Sequence, residues 1–315
     1  MTSNEPGRPA ALTVIKAGML TTVQDLGRRG YQGLGVPVSG PMDAYSHRLA
    51  NQLLGNDPSA AALEVTLLGP ELLARADVTC ALTGADITVT IDGRPAPANE
   101  AFVLRAGARL RWGARVSGTR MTLAVRGGFD VPKTLGSRAT HLASRMGPFG
   151  GRALRAGDEL PIGAADGGRP VPGSPLALPD GGARLQVMPA VHRERFTDAA
   201  WDLLLSARFT VSPQSNRMGY RLDGPTLSHR ASADILSEAV PNGVVQVPAS
   251  GQPILLLADR ATTGGYATIA NVITADLPVA GQLAPGDWIE FALVSRDEAM
   301  TALRRREAAL KGVRQ

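Results

Sequence analysis

Val78-Thr79-Cys80-Ala81-Leu82 and Ile87-Thr88-Val89-Thr90-Ile91, followed at once by Asp92-Gly93, set the fold class of this chain. β-Branched and aliphatic residues fill both runs, and such side chains suit a pleated, half-buried surface. Asp-Gly marks a two-residue hairpin turn, because both central positions need positive φ. Working outward, short runs of the same kind recur at Met121–Val125, Leu185–Met188, Val244–Val247 and Ile254–Leu257, with Asn242-Gly243 as a second turn signal. Many short strands separated by turns predict an all-β sandwich or barrel. The 36 glycines and 23 prolines among 315 residues exclude a helical bundle, since both residue types weaken long helices.

A chain of this length predicts about two domains. Residues 163–182 (GAADGGRPVPGSPLALPDGG) are dense in Gly and Pro and lack apolar periodicity, so they read as a boundary. The expected division is a β-rich domain over 12–163, a linker over 164–182, a second β-rich domain over 183–294 and a peripheral helix over 295–315. Similar phrases support two related domains: Ala156-Gly157-Asp158 and Pro285-Gly286-Asp287 each open a short strand, and Ala106-Gly107 opens another. Three helices are marked. One has Pro41 in its first turn, Met42, Tyr45, Leu49 and Leu53 on one face and Gly55 as its stop. The second runs near Thr197 to Ala207 with Thr197 as cap, and the third begins at Ser295 with Glu298 completing a capping box.

Composition narrows the function classes. Cys80 is the sole cysteine, which excludes an internal disulfide and a cysteine-based zinc cluster. No apolar stretch approaches the ~20 residues of a membrane span, and residues 1–10 lack a leader pattern, so a cytoplasmic setting is expected. The net charge is +5, but the cations are dispersed and aromatic residues make up only 4%. Arg304, Arg305 and Arg306 share a helix with Asp297, Glu298 and Glu307, which reads as a solvated face. A nucleic-acid partner is not expected. The common nucleotide-binding, serine-hydrolase and metalloprotease motifs are missing, and His47, His141, His192 and His229 lack metal-ligand spacing. No metal site is expected.

Four polar, Gly-rich segments remain as candidates for chemistry. They are residues 22–43, which include Gln24, Asp25, Arg28, Ser39 and Asp43; residues 127–140; residues 212–222; and Thr262-Thr263-Gly264-Gly265-Tyr266, followed by Asp276 and Gln282. Glycine lets backbone N–H groups approach a ligand, and nearby hydroxyls and arginines add donors. Thr262 to Tyr266 could stabilise an oxyanion, while Ser215 and Arg217 could bind a carboxylate through the Arg fork.

These segments carry a resemblance. TVQDLGRRGYQGLGVPVSGPMDAYSHRLAN from Thr22, LTGAD at Leu82, GSRAT at Gly136, GPFGGRAL at Gly147, SPQSNRMGYRLDGP at Ser212 and the stretch from Ile235 to Pro278 are similar to the allophanate hydrolase subunit 2 family. That family comprises biotin-dependent carboxyltransferase subunits, and its members are also called KipA-like proteins or the C subunit of 5-oxoprolinase. The resemblance spans about Leu12 to Ala299. It implies two cyclophilin-like β-barrel domains with a few short helices, matching the all-β reading. It also implies partners: an allophanate hydrolase subunit 1 protein, equivalent to the B subunit of 5-oxoprolinase, and a protein like the A subunit. The activity it implies is that of the C subunit in an ATP-dependent 5-oxoprolinase, cleaving 5-oxoproline to glutamate and inactive alone. Transfer of CO2 from carboxybiotin to urea is the alternative, and a KipA-like regulatory role the second alternative.

On this resemblance Gln24, Asp25 and Arg28 form one wall of a small-amide site. Ser39, Asp43, Ser215, Arg217 and Gln282 bind substrate, and Thr262, Thr263, Gly264, Gly265 and Tyr266 are catalytic. The chain departs from the family at Asn216, where an acidic residue is usual, at His141, which replaces a carboxylate, and at Met188 to His192. No phosphate loop or carrier lysine is present, so the chain itself is expected to bind no cofactor, with ATP or carboxybiotin coming on partner subunits.

Overall fold

The structure is a computed structural model and describes residues 10–312. The N-terminal residues read above for a leader, except Ala10, and the last three residues of the 295–315 segment lie outside that range. Two compact units form: one takes residues up to Arg28, Ala44–Leu176 and the chain from Ala309 onward, the other Arg29–Asp43 and Ala177–Ala308.

The first unit contains β1 (Ala10–Lys16), β2 (Leu20–Gln24), α1 (Ala44–Leu53), β3 (Ala62–Thr66), β4 (Glu71–Ala74), β5 (Val78–Ile91), β6 (Arg94–Pro95), β7 (Ala101–Leu104), β8 (Arg109–Val125), the short α2 (Pro148–Gly151) and β9 (Glu159–Pro161). Its nine strands form a half-barrel sheet in the order β2-β3-β8-β4-β1-β9, with β5 pairing β8, β7 and β6. The two runs that open the sequence reading are one strand, not two. Gly84 has φ 97°, and the pairing with β8 shifts register between Gly84 and Val89, so β5 bends without ending. Asp92 and Gly93 then turn the chain with φ 50° and 84°, as an Asp-Gly hairpin requires.

Side chains alternate across this sheet. Val23, Leu63, Leu82 and Leu123 enter the apolar core together with Cys80. Burial pushes the Cys80 thiol up to about 12, so it behaves as a small core hydrophobe. On neighbouring positions Thr22, Glu64, Thr122 and Thr83 stand opposite one another in register across four strands, and all four are buried. Helix α1 starts at Ala44, three residues after Pro41, so Pro41 is not in its first turn. Ser39 and Gly40, with φ 58° and 98°, bend the backbone just before and keep it out of helical conformation. Residues 163–181 carry neither helix nor strand. Their first part is tied to the first unit: Val171 N–H donates to Gln52 O at 3.0 Å, and the Tyr45 hydroxyl donates to Ser174 O at 2.6 Å.

The second unit contains β10 (Gly182–Pro189), α3 (Asp198–Ser206), β11 (Phe209–Val211), β12 (Gly219–Asp223), β13 (Asp234–Ala239), β14 (Val244–Gln246), β15 (Ile254–Leu256), β16 (Thr263–Tyr266), β17 (Thr268–Val272), α4 (Leu277–Ala280), β18 (Trp288–Leu293) and all but the last two residues of α5 (Arg296–Leu310). Seven strands close a barrel in the order β10-β17-β14-β15-β12-β11-β18, while β13 and β16 form a separate two-stranded ribbon. Leu185, Phe209, Val245, Leu255, Ile269 and Phe291 fill the interior. The mostly-strand architecture meets the all-β expectation.

Local signals hold in detail. Thr197 Oγ1 accepts from Ala200 N–H at 3.1 Å and caps α3. Ser295 and Glu298 exchange the two bonds of a capping box at the start of α5, at 3.3 and 2.7 Å. The repeated turn phrase is real as well. Asp158 Oδ2 accepts from Arg155 N–H at 2.7 Å and Asp287 Oδ2 from Ala284 N–H at 2.8 Å, with Gly157 and Gly286 at φ 90° and 92°.

Candidate functional site

In the first unit Gln24, Asp25 and Arg28 do come together, around the loop at 134–140. Asp25 Oδ1 accepts from the Ser137 hydroxyl at 2.6 Å and from Gly27 N–H at 2.9 Å, while Oδ2 accepts from Arg138 N–H at 2.5 Å. Arg28 is fully buried and donates to Thr134 O and Ala139 O, both at 2.8 Å. Gln24 Nε2 donates to Thr22 Oγ1 at 2.9 Å and Thr140 O at 3.1 Å. These polar groups therefore shape the Gly136-Ser137-Arg138-Ala139-Thr140 loop directly.

His47 on α1 belongs to the same unit. Burial lowers its pKa to about 4, against a smaller opposing pull from the Asp25 charge, so the ring is neutral near pH 7. His141 Nδ1 lies 2.7 Å from Ser144 Oγ, His192 Nδ1 3.0 Å from Thr268 Oγ1 and His229 Nε2 3.0 Å from Val247 O. Among the described residues no cluster of three or more His, Cys, Asp or Glu could hold a metal ion.

In the second unit Arg217 meets a partner that the sequence reading does not contain. Its guanidinium grips Asp259, Nε to Oδ2 at 2.8 Å and Nη2 to Oδ1 at 3.0 Å, with both side chains about 95% buried. The same group holds the 29–43 segment. Arg217 Nη2 donates to Gly40 O at 2.6 Å, and the Ser39 hydroxyl donates to Asp259 Oδ1 at 2.6 Å. Gln282 Nε2 donates to Asp43 Oδ2 at 2.6 Å, and Gly281 leaves room for Met42, whose carbonyl would lie 2.3 Å from a Cβ there. Ser39, Asp43, Arg217 and Gln282 thus form one buried lock. Ser215 does not join it, because its hydroxyl is spent on the backbone N–H and carbonyl of Arg221, at 3.1 and 3.3 Å.

Thr262 and Thr263 border a cavity of about 600 Å³, whose wall also includes Gln32, Gly35, Asn242 and Arg260. The ribbon fixes the backbone there, with Glu238 opposite Gly264 and Ala239 opposite Thr263. Gly264 is required by packing: a Cβ would lie 2.5 Å from Gln246 Nε2 and 2.9 Å from a Val240 methyl. Tyr266 is exposed at the ribbon's end, opposite Asp234, outside the cavity wall.

Arg260 is the second residue that sequence reasoning misses, although it directly precedes the Ala261-Thr262-Thr263 stretch. Its Nε donates to Val240 O at 2.8 Å and its Nη1 to Leu257 O at 3.3 Å. Burial, and next the positive charge of Arg29, hold its pKa below the usual arginine value. The volume suits a small organic ligand, and the wall offers hydroxyl, amide and guanidinium donors to an oxygen-rich one.

The chain and its fold have close counterparts among known proteins. The chain belongs to the family of the carboxyltransferase domain, subdomains A and B, which matches residues 34–293. It is 40% identical over 292 residues to the C subunit of 5-oxoprolinase from Escherichia coli (strain K12), covering 92% of this chain and 94% of that one. Urea amidolyase of Saccharomyces cerevisiae (strain ATCC 204508 / S288c) is 32% identical over 330 residues, covering 97% of this chain and 18% of that protein. The crystal structure of K. lactis urea amidolyase superposes with a TM-score of 0.92 at 30% identity, over 99% of this chain and 20% of that one. Among the described residues no helix is long and apolar enough to cross a membrane.

Proposed function

We propose that this chain is the C subunit of an ATP-dependent 5-oxoprolinase that acts on its substrate together with partner subunits. The observation that supports this best is end-to-end similarity to a protein of that name, 40% identical across 94% of its length. Opening the five-membered lactam adds one water across the amide C–N bond, giving the amine and the second carboxylate of glutamate. Negative charge gathers on the lactam oxygen as the nucleophile adds. In this reading Thr262 and Thr263, which border the cavity, donate hydrogen bonds to that oxygen, the kind of preorganised donor that speeds acyl chemistry. The buried Arg217–Asp259 pair keeps the 29–43 segment, and with it the Gln32 to Gly35 wall, in position. The chain has neither a phosphate loop nor a carrier lysine, so ATP is assigned to a partner.

Carboxyl transfer to an amide is the second reading, favoured by the family match and by the 0.92 superposition on urea amidolyase. Purified chain combined with its co-purifying partners separates the two. Glutamate released from 5-oxoproline only when ATP is present supports the first. Urea-dependent discharge of carboxybiotin without glutamate release replaces it with the second.

A further inference from the structure

Three arginines at different depths in this protein show the common arrangement of a guanidinium on a carboxylate. Arg217 meets Asp259, Arg152 meets Asp158 and Arg109 meets Glu71. Arg260 differs from these three: it lies half-buried on the cavity wall, bonded to two carbonyls, with no carboxylate partner among the described residues. Among the described residues no Asp or Glu lines the cavity. A second cation, the exposed Arg29, precedes Gln32 of the cavity wall by three residues, and its charge acts on Arg260. Two like charges beside a concave, partly desolvated surface are mutually unfavourable, and a bound anion relieves both. Neutral donors surround the place, namely the Asn242 and Gln32 amides and the Thr262 and Thr263 hydroxyls.

We propose that Arg260, with Arg29 beside it, is a receptor for the carboxylate of a small amide substrate, holding that group so that the amide faces Thr262 and Thr263. This rests on taking the cavity as the substrate site. A carboxylate and a phosphate share the chemistry that Arg recognises, so the test must separate them.

The full-length chain is titrated calorimetrically with three probes: 5-oxoproline, 2-pyrrolidinone (the same lactam without the carboxylate) and inorganic phosphate. The expected order is 5-oxoproline tightest, with 2-pyrrolidinone about tenfold weaker or more and phosphate no stronger than 5-oxoproline. R29E, at an exposed side chain, should weaken 5-oxoproline by about tenfold, the effect of ~1.4 kcal/mol. It should leave the melting temperature and pyrrolidinone binding unchanged. R260K, which keeps the charge and loses the fork, should fall between. R94Q, an exposed cation elsewhere, should change nothing. Equal binding of 5-oxoproline and pyrrolidinone, tighter binding of phosphate, or an unaffected R29E would each overturn the proposal. The assembled complex separates this idea from the functional reading. Glutamate release with an unchanged KM in R29E removes the receptor and leaves the 5-oxoprolinase standing. Charge-dependent binding without glutamate release leaves the receptor and removes the 5-oxoprolinase.

Discussion

Asp259→Ala should destabilise the second unit by about 3–5 kcal/mol, the range for breaking one side of a buried ion pair. The carboxylate accepts from Arg217 at 2.8 and 3.0 Å and from Ser39 at 2.6 Å, where both charged side chains are about 95% buried. Hydrogen bonds to charged groups are worth about 1.5–3 kcal/mol each, yet most of the loss comes from leaving a buried guanidinium without that counter-charge. At about 2–4 °C per kcal/mol for a domain of this size, the melting temperature should fall by roughly 10 °C. Differential scanning calorimetry with urea titration measures it. The double variant Arg217→Met with Asp259→Leu should recover most of the loss, because an intact buried pair differs little from well-packed apolar residues. A loss under about 1 kcal/mol for Asp259→Ala, or a double variant no better than the singles, would refute the reasoning. Arg217→Lys discriminates further: as a lock residue it lowers stability, whereas as a substrate ligand it raises KM and leaves stability alone.

Other outcomes follow from the same structure. His47 is neutral in the fold, with a pKa of about 4 against 6.5 unfolded. Above pH 6.5 the ring is neutral in both states. Between 6.5 and 4 only the unfolded chain takes up the proton, so stability falls as pH falls through that window, by about 3 kcal/mol in all. Urea midpoints at pH 7 and pH 4.5 should show this slope, and His47→Gln should flatten it. The buried Cys80 thiol, pushed up to about 12, should resist aromatic disulfide reagents in the native protein and react once urea unfolds it. Gly264→Ala should cost about 1–3 kcal/mol through overpacking against Gln246 and Val240. Gly265→Ala, where the nearest atoms to a Cβ lie 3.6 Å away, should be nearly neutral by thermal unfolding.

The parts of this fold written in adjacent residues are legible in the sequence. Asp92-Gly93, Thr197 before α3 and Ser295 with Glu298 are local chemistries that need no distant partner, and each forms as read. The start of α1 differs from the sequence reading because Ser39 and Gly40 adopt positive φ, which a pattern of apolar spacing does not reveal. Val78–Leu82 and Ile87–Ile91 read as separate runs in the sequence, whereas pairing to the long β8 carries one strand through Gly84.

Around the candidate residues, the sequence names side chains and not their partners. Arg217 pairs with a carboxylate 42 positions away, and Asp25 with a hydroxyl 112 positions away. Periodicity holds no information about such meetings. Arg260 escapes notice because a lone Arg before a Thr-rich turn looks like a surface residue until the cavity shows what surrounds it.

The central claim is that lactam opening takes place in the cavity beside β16, with hydroxyl donors at the developing oxyanion. The most direct measurement is ATP-dependent glutamate release by the reconstituted complex carrying Thr262→Ala and Thr263→Val, compared with the unaltered complex. A fall in kcat of about 10²–10³ with the complex intact is the predicted result. Full turnover by that variant would contradict the account.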